Sequence, residues 1–130
     1  MLERHMEVNR EHNEAKNPIR SNRQQETLNN AIKQLQASGT EKYISAVYLY
    51  GSCARGEERW DSDVDLFVQL TEDIREIDNH YRMLRELKTA ARSEDCGAPA
   101  VDIHFYIGTD WTHCNSAFFK EIKRDGVRIW

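Results

Sequence analysis

The sequence predicts one α/β (α+β) domain: a small mixed β-sheet of three to four strands with helices packed on one face. Three observations predict it. Two apolar runs rich in β-branched and aromatic residues, 43–50 and 64–70, flank a polar segment that opens on Gly51-Ser52. Residues 101–107 alternate, with Val101, Ile103, Phe105 and Ile107 on one face and Asp102, His104 and Tyr106 on the other. Two stripes at helical spacing supply the cover: Leu28, Ala31, Ile32 and Leu35, then Ile74, Ile77, Tyr81, Leu84, Leu87 and Ala91.

A chain of 130 residues has room for one core and not two. Residues 1–20 read as a charged N-terminal arm, and residues 21–130 as the domain. The arm carries few sizeable apolar groups, which suits a frayed terminus, or a segment that packs on a partner. Ser21 and Gln24 fit a capping box for a helix over about 22–38, stopped by Gly39. A strand follows to Tyr50, then a turn from Ser52 to Arg55, a polar loop, and a strand from Val64 to Leu70. Thr71, Glu72 and Asp73 fit the start of a helix over about 72–92. His80 lies beside its stripe and reads as a partly buried helix histidine. Residues 93–99 form a link and 108–114 a loop. Asn115 fits the cap of a last helix with Phe118, Phe119 and Ile122 inward, ending at Gly126. Residues 127–130 add a short strand or tuck Trp130 against the body.

Composition excludes several functions. No run approaches the ~18 apolar residues of a membrane helix, and the N-terminus has no signal-peptide core, so a cytoplasmic location and no membrane partner are expected. A net charge of −4 argues against general nucleic-acid binding, which needs clustered Lys and Arg. Cys53, Cys96 and Cys114 form neither an even framework nor a CxxC pair and read as free thiols. His113-Cys114 has no partners with which to build a zinc site.

The chemistry concentrates between 50 and 65. Asp63 and Asp65 are separated by one residue, so on an extended strand both carboxylates face one way, with Cα atoms about 7 Å apart. Two converging acids repel unless a cation lies between them, and hard oxygens suit Mg²⁺. Gly51-Ser52 opens a helical turn, where free N–H groups and an absent side chain favour an anion; Arg55 adds a positive charge. Asp102 starts an apolar strand and needs a charged neighbour, which makes it a third carboxylate for the same site.

Gly51-Ser52, ten intervening residues, then Asp63-Val64-Asp65 resembles the signature of the DNA polymerase beta-like nucleotidyltransferase superfamily. Tyr50-Gly51-Ser52-Cys53-Ala54-Arg55-Gly56 and Ser62-Asp63-Val64-Asp65-Leu66 are similar to its minimal nucleotidyltransferases, often found beside a helical HEPN-domain protein in toxin–antitoxin pairs. The resemblance covers residues 44–70 closely, and 100–107 and 119–130 more loosely. It implies the nucleotidyltransferase fold, with Asp63 and Asp65 holding two Mg²⁺ ions. Asp102 would ligate the ion nearer the acceptor and help deprotonate its hydroxyl. Gly51 and Ser52 would hold the β and γ phosphates of ATP, the nucleotide donor. Cys53 stands where that branch commonly has a basic residue, which leaves Arg55 as the nearest cation. Larger members of the superfamily carry a further domain that grips the acceptor; no stretch of these residues reads as long enough for one, so a HEPN-type partner or a second copy is expected to supply that surface. Trp60 and Tyr106 read as packing aromatics before base-stacking ones.

Three functions are expected from this. The first is Mg²⁺-dependent transfer of AMP from ATP to a hydroxyl of a partner protein, the chain acting as an antitoxin. The second is nucleotide transfer to a small molecule such as an aminoglycoside. The third is a non-catalytic antitoxin that binds and masks its partner.

Overall fold

The computed structural model describes residues 18–93 and 95–130. Most of the arm, residues 1–17, lies outside the described residues. Ile19 already packs against the core, and the Arg20 N–H bonds to Glu58.

Helix α1 (Asn22–Ala37) forms as its periodicity predicts, burying Leu28, Ala31, Ile32 and Leu35. Ser21 caps it, its Oγ accepting from Gln24 N at 3.5 Å. The other half of the capping box is not made. Ser21 N–H donates instead to Glu58 Oε2 at 2.8 Å, because a carboxylate outcompetes a neutral amide for such a donor. Gln24 is thereby released for another task and is wholly buried. The helix stops at Ser38, whose Oγ bonds back to Leu35 O at 2.7 Å, rather than at Gly39.

Among the described residues four strands make one sheet in the order β3-β2-β1-β4: β1 (Ile44–Tyr50), β2 (Val64–Leu70), β3 (Val101–Ile107) and β4 (Val127–Arg128). β1 runs antiparallel to β2 and β4, while β2 and β3 are parallel. The parallel pair requires a crossover, and residues 71–100 supply it. The 72–92 stripe is not one helix. A 3₁₀ turn (Glu72–Glu76) leads to Asn79 at φ 57°, and α3 (His80–Ala90) begins only there. A left-handed residue cannot continue a right-handed helix. Ile74, Leu84, Leu87 and Ala91 are buried as expected; Tyr81, expected inward, is 67% exposed.

Both faces of the sheet carry cover. Val64, Leu66, Val68 and Leu70 face the main core with α1 and α3. On the opposite face Tyr50, Phe67, Trp111 and Ile122 form a second, aromatic core under α4 (Ala117–Asp125). Trp111 belongs to the expected 108–114 loop, where Asp110–His113 folds as a 3₁₀ turn; its Nε1–H donates to Gln69 Oε1 at 2.7 Å. Ser116, and not Asn115, caps α4. At the chain's end both expectations are met: β4 pairs with β1 and Trp130 is buried. All three cysteines are free.

Candidate active site

The end of the second face that α4 leaves open holds the acids. Register puts Tyr50 opposite Asp65 across the antiparallel pair and Asp65 opposite Asp102 across the parallel pair. Asp65 and Asp102 are thus side by side on neighbouring strands, about 4.8 Å apart along the hydrogen-bonding direction. Asp63 stands just before β2 and is exposed.

The chain reverses directly after β1 into the four-residue turn α2 (Gly51–Ala54). Gly51 has φ +75°, and a Cβ there would collide with Asp65 Oδ2. Glycine is required twice over, for the left-handed backbone and for the carboxylate pressed against it. The bend and the acid strand are therefore in direct contact. Ser52 Oγ makes no hydrogen bond among the described residues and remains a free donor. Cys53 is buried beneath the turn, its Sγ against Asp63 O at 3.5 Å. Burial first, then Glu58, Asp65 and Asp63, push its thiol up to about 12, so it is inert.

Charge at the site is unbalanced. Burial, then Asp102, Asp63 and Glu121, raise the Asp65 carboxyl to about 6, with Arg55 alone opposing. Burial, then Asp65, Asp102 and Glu121, also push the Tyr50 hydroxyl upward. Arg55 is less available than its position in the sequence suggests. Its Nε meets Glu57 at 2.8 Å, and its Nη1 lies 3.7 Å from both Glu121 and Asp125.

A hard, all-oxygen donor set carrying surplus negative charge suits a divalent cation such as Mg²⁺ in its chemistry; Asp65 and Asp102 are register partners, while Asp63 lies just outside the paired strand. Among the described residues, no three His, Cys, Asp or Glu groups are placed together closely enough to hold an ion.

The loop that leads to Asp63 is fastened from below. Gln24 Nε2 lies 2.9 Å from Arg59 O and 3.2 Å from the carbonyls of Trp60 and Ser62. Arg23 packs its guanidinium 4.1 Å over the Trp60 ring, leaving Trp60 73% exposed. Burial works to raise the Glu58 carboxyl, but N–H donors, Ser21 foremost, outweigh it and hold it below its ordinary range. Tyr106 is a packing aromatic, its ring 5.5 Å edge-on from Phe119.

Sequence reasoning did not single out Glu121, His104 or Tyr50 for the site. His104 Nε2 lies 3.6 Å from Asp102 Oδ2, its ring 4.8 Å from Phe118. Glu121 was legible: Phe118, Glu121, Ile122 and Asp125 share one helical face, so two acids travel with the inward aromatic stripe.

A family model described as Polymerase beta, Nucleotidyltransferase matches residues 29–130. Among solved structures, the chain is similar to a toxin-antitoxin crystallised with AMP-PNP, at 22% identity over 78% of this chain and 71% of that one, TM-score 0.48. It is also similar to a Sulfolobus solfataricus protein described as a nucleotidyltransferase, at 20% identity over 80% and 86% of the two chains, TM-score 0.45. A comparison with curated proteins finds no match.

Proposed function

The chain belongs to the Polymerase beta, Nucleotidyltransferase family, and from that premise we propose that it moves AMP from ATP onto a hydroxyl of a partner protein, as the antitoxin of a toxin–antitoxin pair. Residues 21–130 form the transferase unit. The single observation that carries this reading is the contact of Gly51 with Asp65, itself in register with Asp102. A triphosphate-binding bend and two carboxylates thereby share one end of the sheet.

In this reading Gly51 and Ser52 seat the β and γ phosphates, the glycine by admitting them to the backbone and the serine by donating its hydroxyl. Arg55 serves at longer range, since Glu57, Glu121 and Asp125 already engage it. Asp63, Asp65 and Asp102 would hold Mg²⁺, two ions in all, which lower the charge on the triphosphate and on the departing pyrophosphate. The acceptor hydroxyl oxygen bonds to the α phosphorus as the bond to the bridging oxygen breaks, and pyrophosphate leaves. In this reading Asp102 serves the acceptor side and takes the proton of its hydroxyl. Most of the rate comes from holding these groups in line in a charged, shaped site, with no protein nucleophile.

A HEPN-type helical protein is the proposed acceptor. Incubation with labelled ATP, Mg²⁺ and the product of the adjacent gene should add one or more AMP units to that product by intact mass. Asp63→Asn and Asp65→Asn should each abolish the gain. A second reading is masking without catalysis. It predicts full neutralisation of the partner by those variants with no mass gained. Label on an aminoglycoside in place of the protein would move the acceptor to small molecules.

A further inference from the structure

β3 is an edge strand. It pairs with β2 on one side, and on the other no strand pairs with it among the described residues. Such an edge presents every second N–H and C=O outward, ready to pair with another chain. Here the edge floors an open groove of about 720 Å³, with residues 103–107 along the bottom. The 3₁₀ turn contributes Arg75 to the wall, and α3 contributes Tyr81, Arg85 and Lys88. Tyr81 is one of two large hydrophobic side chains strongly exposed among the described residues.

The groove runs against the charge of the whole molecule. The acids at its rim are Glu72 and Asp110, and Glu72 is occupied by Arg75 at 3.4 Å. Arg85 and Lys88 have no carboxylate within ion-pair distance among the described residues. A chain of net charge −4 therefore keeps a cationic strip beside an open strand edge. The lining also includes His104, whose Nε2 lies 3.6 Å from Asp102 Oδ2, so one side chain links the groove to the acid end of the sheet.

We propose that this groove receives the acceptor protein: an extended, acidic segment adds to β3 as a further strand. Main-chain hydrogen bonds supply its affinity, Arg85 and Lys88 select its charge, and Tyr81 packs one of its apolar side chains. The proposal rests on the transferase reading, since it delivers a hydroxyl to the Asp102 end of the site. A second copy suits the groove less well, because pairing β3 with β3 would bring two Arg85–Lys88 clusters together. A nucleic acid would find few cations here and no use for the strand edge.

The test uses the full chain and a fluorescent, alternating Glu-Val peptide of about eight residues. Anisotropy should show binding, with amide exchange slowed at alternate positions of 101–107. Arg85→Glu combined with Lys88→Glu should weaken that binding about tenfold or more, favour a Lys-Val peptide, and raise the KM for the partner protein. Mg²⁺–ATP binding by this variant should be unchanged. Unprotected β3 amides at saturating peptide, equal binding of both peptides by the wild type, or a chain dimer that dissociates in the variant would each overturn the proposal. So would preferential binding of a single-stranded RNA at this edge, or loss of ATP binding in the variant. Failure of the transferase reading is distinct and shows elsewhere, as no Mg²⁺-dependent ATP binding by the wild-type chain.

Discussion

Asp65 is the residue on which the energetics turn. Its carboxyl is half-buried, faces Asp102 and Asp63, and titrates near 6 against an ordinary value of 3.8. A raised carboxyl pKa means the native state binds more protons than the unfolded chain between those two values. In the metal-free protein, stability contributed by Asp65 is therefore fully present below about pH 4 and lost as pH rises through 6. Asp65→Asn should stabilise the metal-free protein at pH 7 by about 1–2 kcal/mol, after discounting for a half-exposed group, and should flatten this part of the pH profile. Thermal melts in EDTA between pH 4 and 8 read both effects; a variant less stable than wild type at pH 7 would contradict them. Gly51 predicts the opposite kind of outcome. Gly51→Ala must adopt a left-handed backbone and displace the Asp65 carboxylate, so it should cost at least about 1–2 kcal/mol and lose nucleotide binding. Asp102→Asn should slow transfer about 100-fold while ATP–Mg²⁺ binding persists, because its role lies on the acceptor side; equal loss of both would refute that role.

At the scale of elements, the loop between the bend and the acid strand depends on α1. Gln24 is a wholly buried amide with carbonyls from Arg59, Trp60 and Ser62 around its Nε2. Gln24→Met keeps its volume but strands those carbonyls, and should destabilise the chain by about 2–3 kcal/mol in chemical denaturation. An unchanged midpoint would show that water satisfies the loop instead. This contact also marks the limit of what local sequence rules reveal. The capping box was legible as Ser21 and Gln24, but a carboxylate 37 residues away took the glutamine's part. The strands were legible to within a residue, because alternation and β-branched composition record burial directly. The 72–92 helix was misread because its stripe continues in phase across Asn79, and periodicity does not register a left-handed residue between two in-phase segments. Trp111 was hidden for a related reason: a single aromatic in a loop has no period to declare its burial.

For the whole molecule, one sheet serves two cores, and the site exists because the second core stops short. The aromatic cluster of Tyr50, Phe67, Trp111 and Ile122 fills one part of the face and leaves Asp65 and Asp102 uncovered at the other. That Asp65 and Asp102 lie on apolar strands was legible from the sequence, because a carboxylate there contradicts its surroundings; that the two are neighbours follows from the strand register. Arg55's diversion to Glu121 and Asp125 was not legible, since it depends on how α4 crosses the sheet. Binding of a non-hydrolysable ATP analogue, titrated by calorimetry with Mg²⁺ and then with EDTA, tests the union of bend and acids most directly. The wild-type chain should bind only with the metal present, and Asp63→Asn combined with Asp65→Asn should not bind. Equal affinity in EDTA, or undiminished binding by that double variant, would contradict the account.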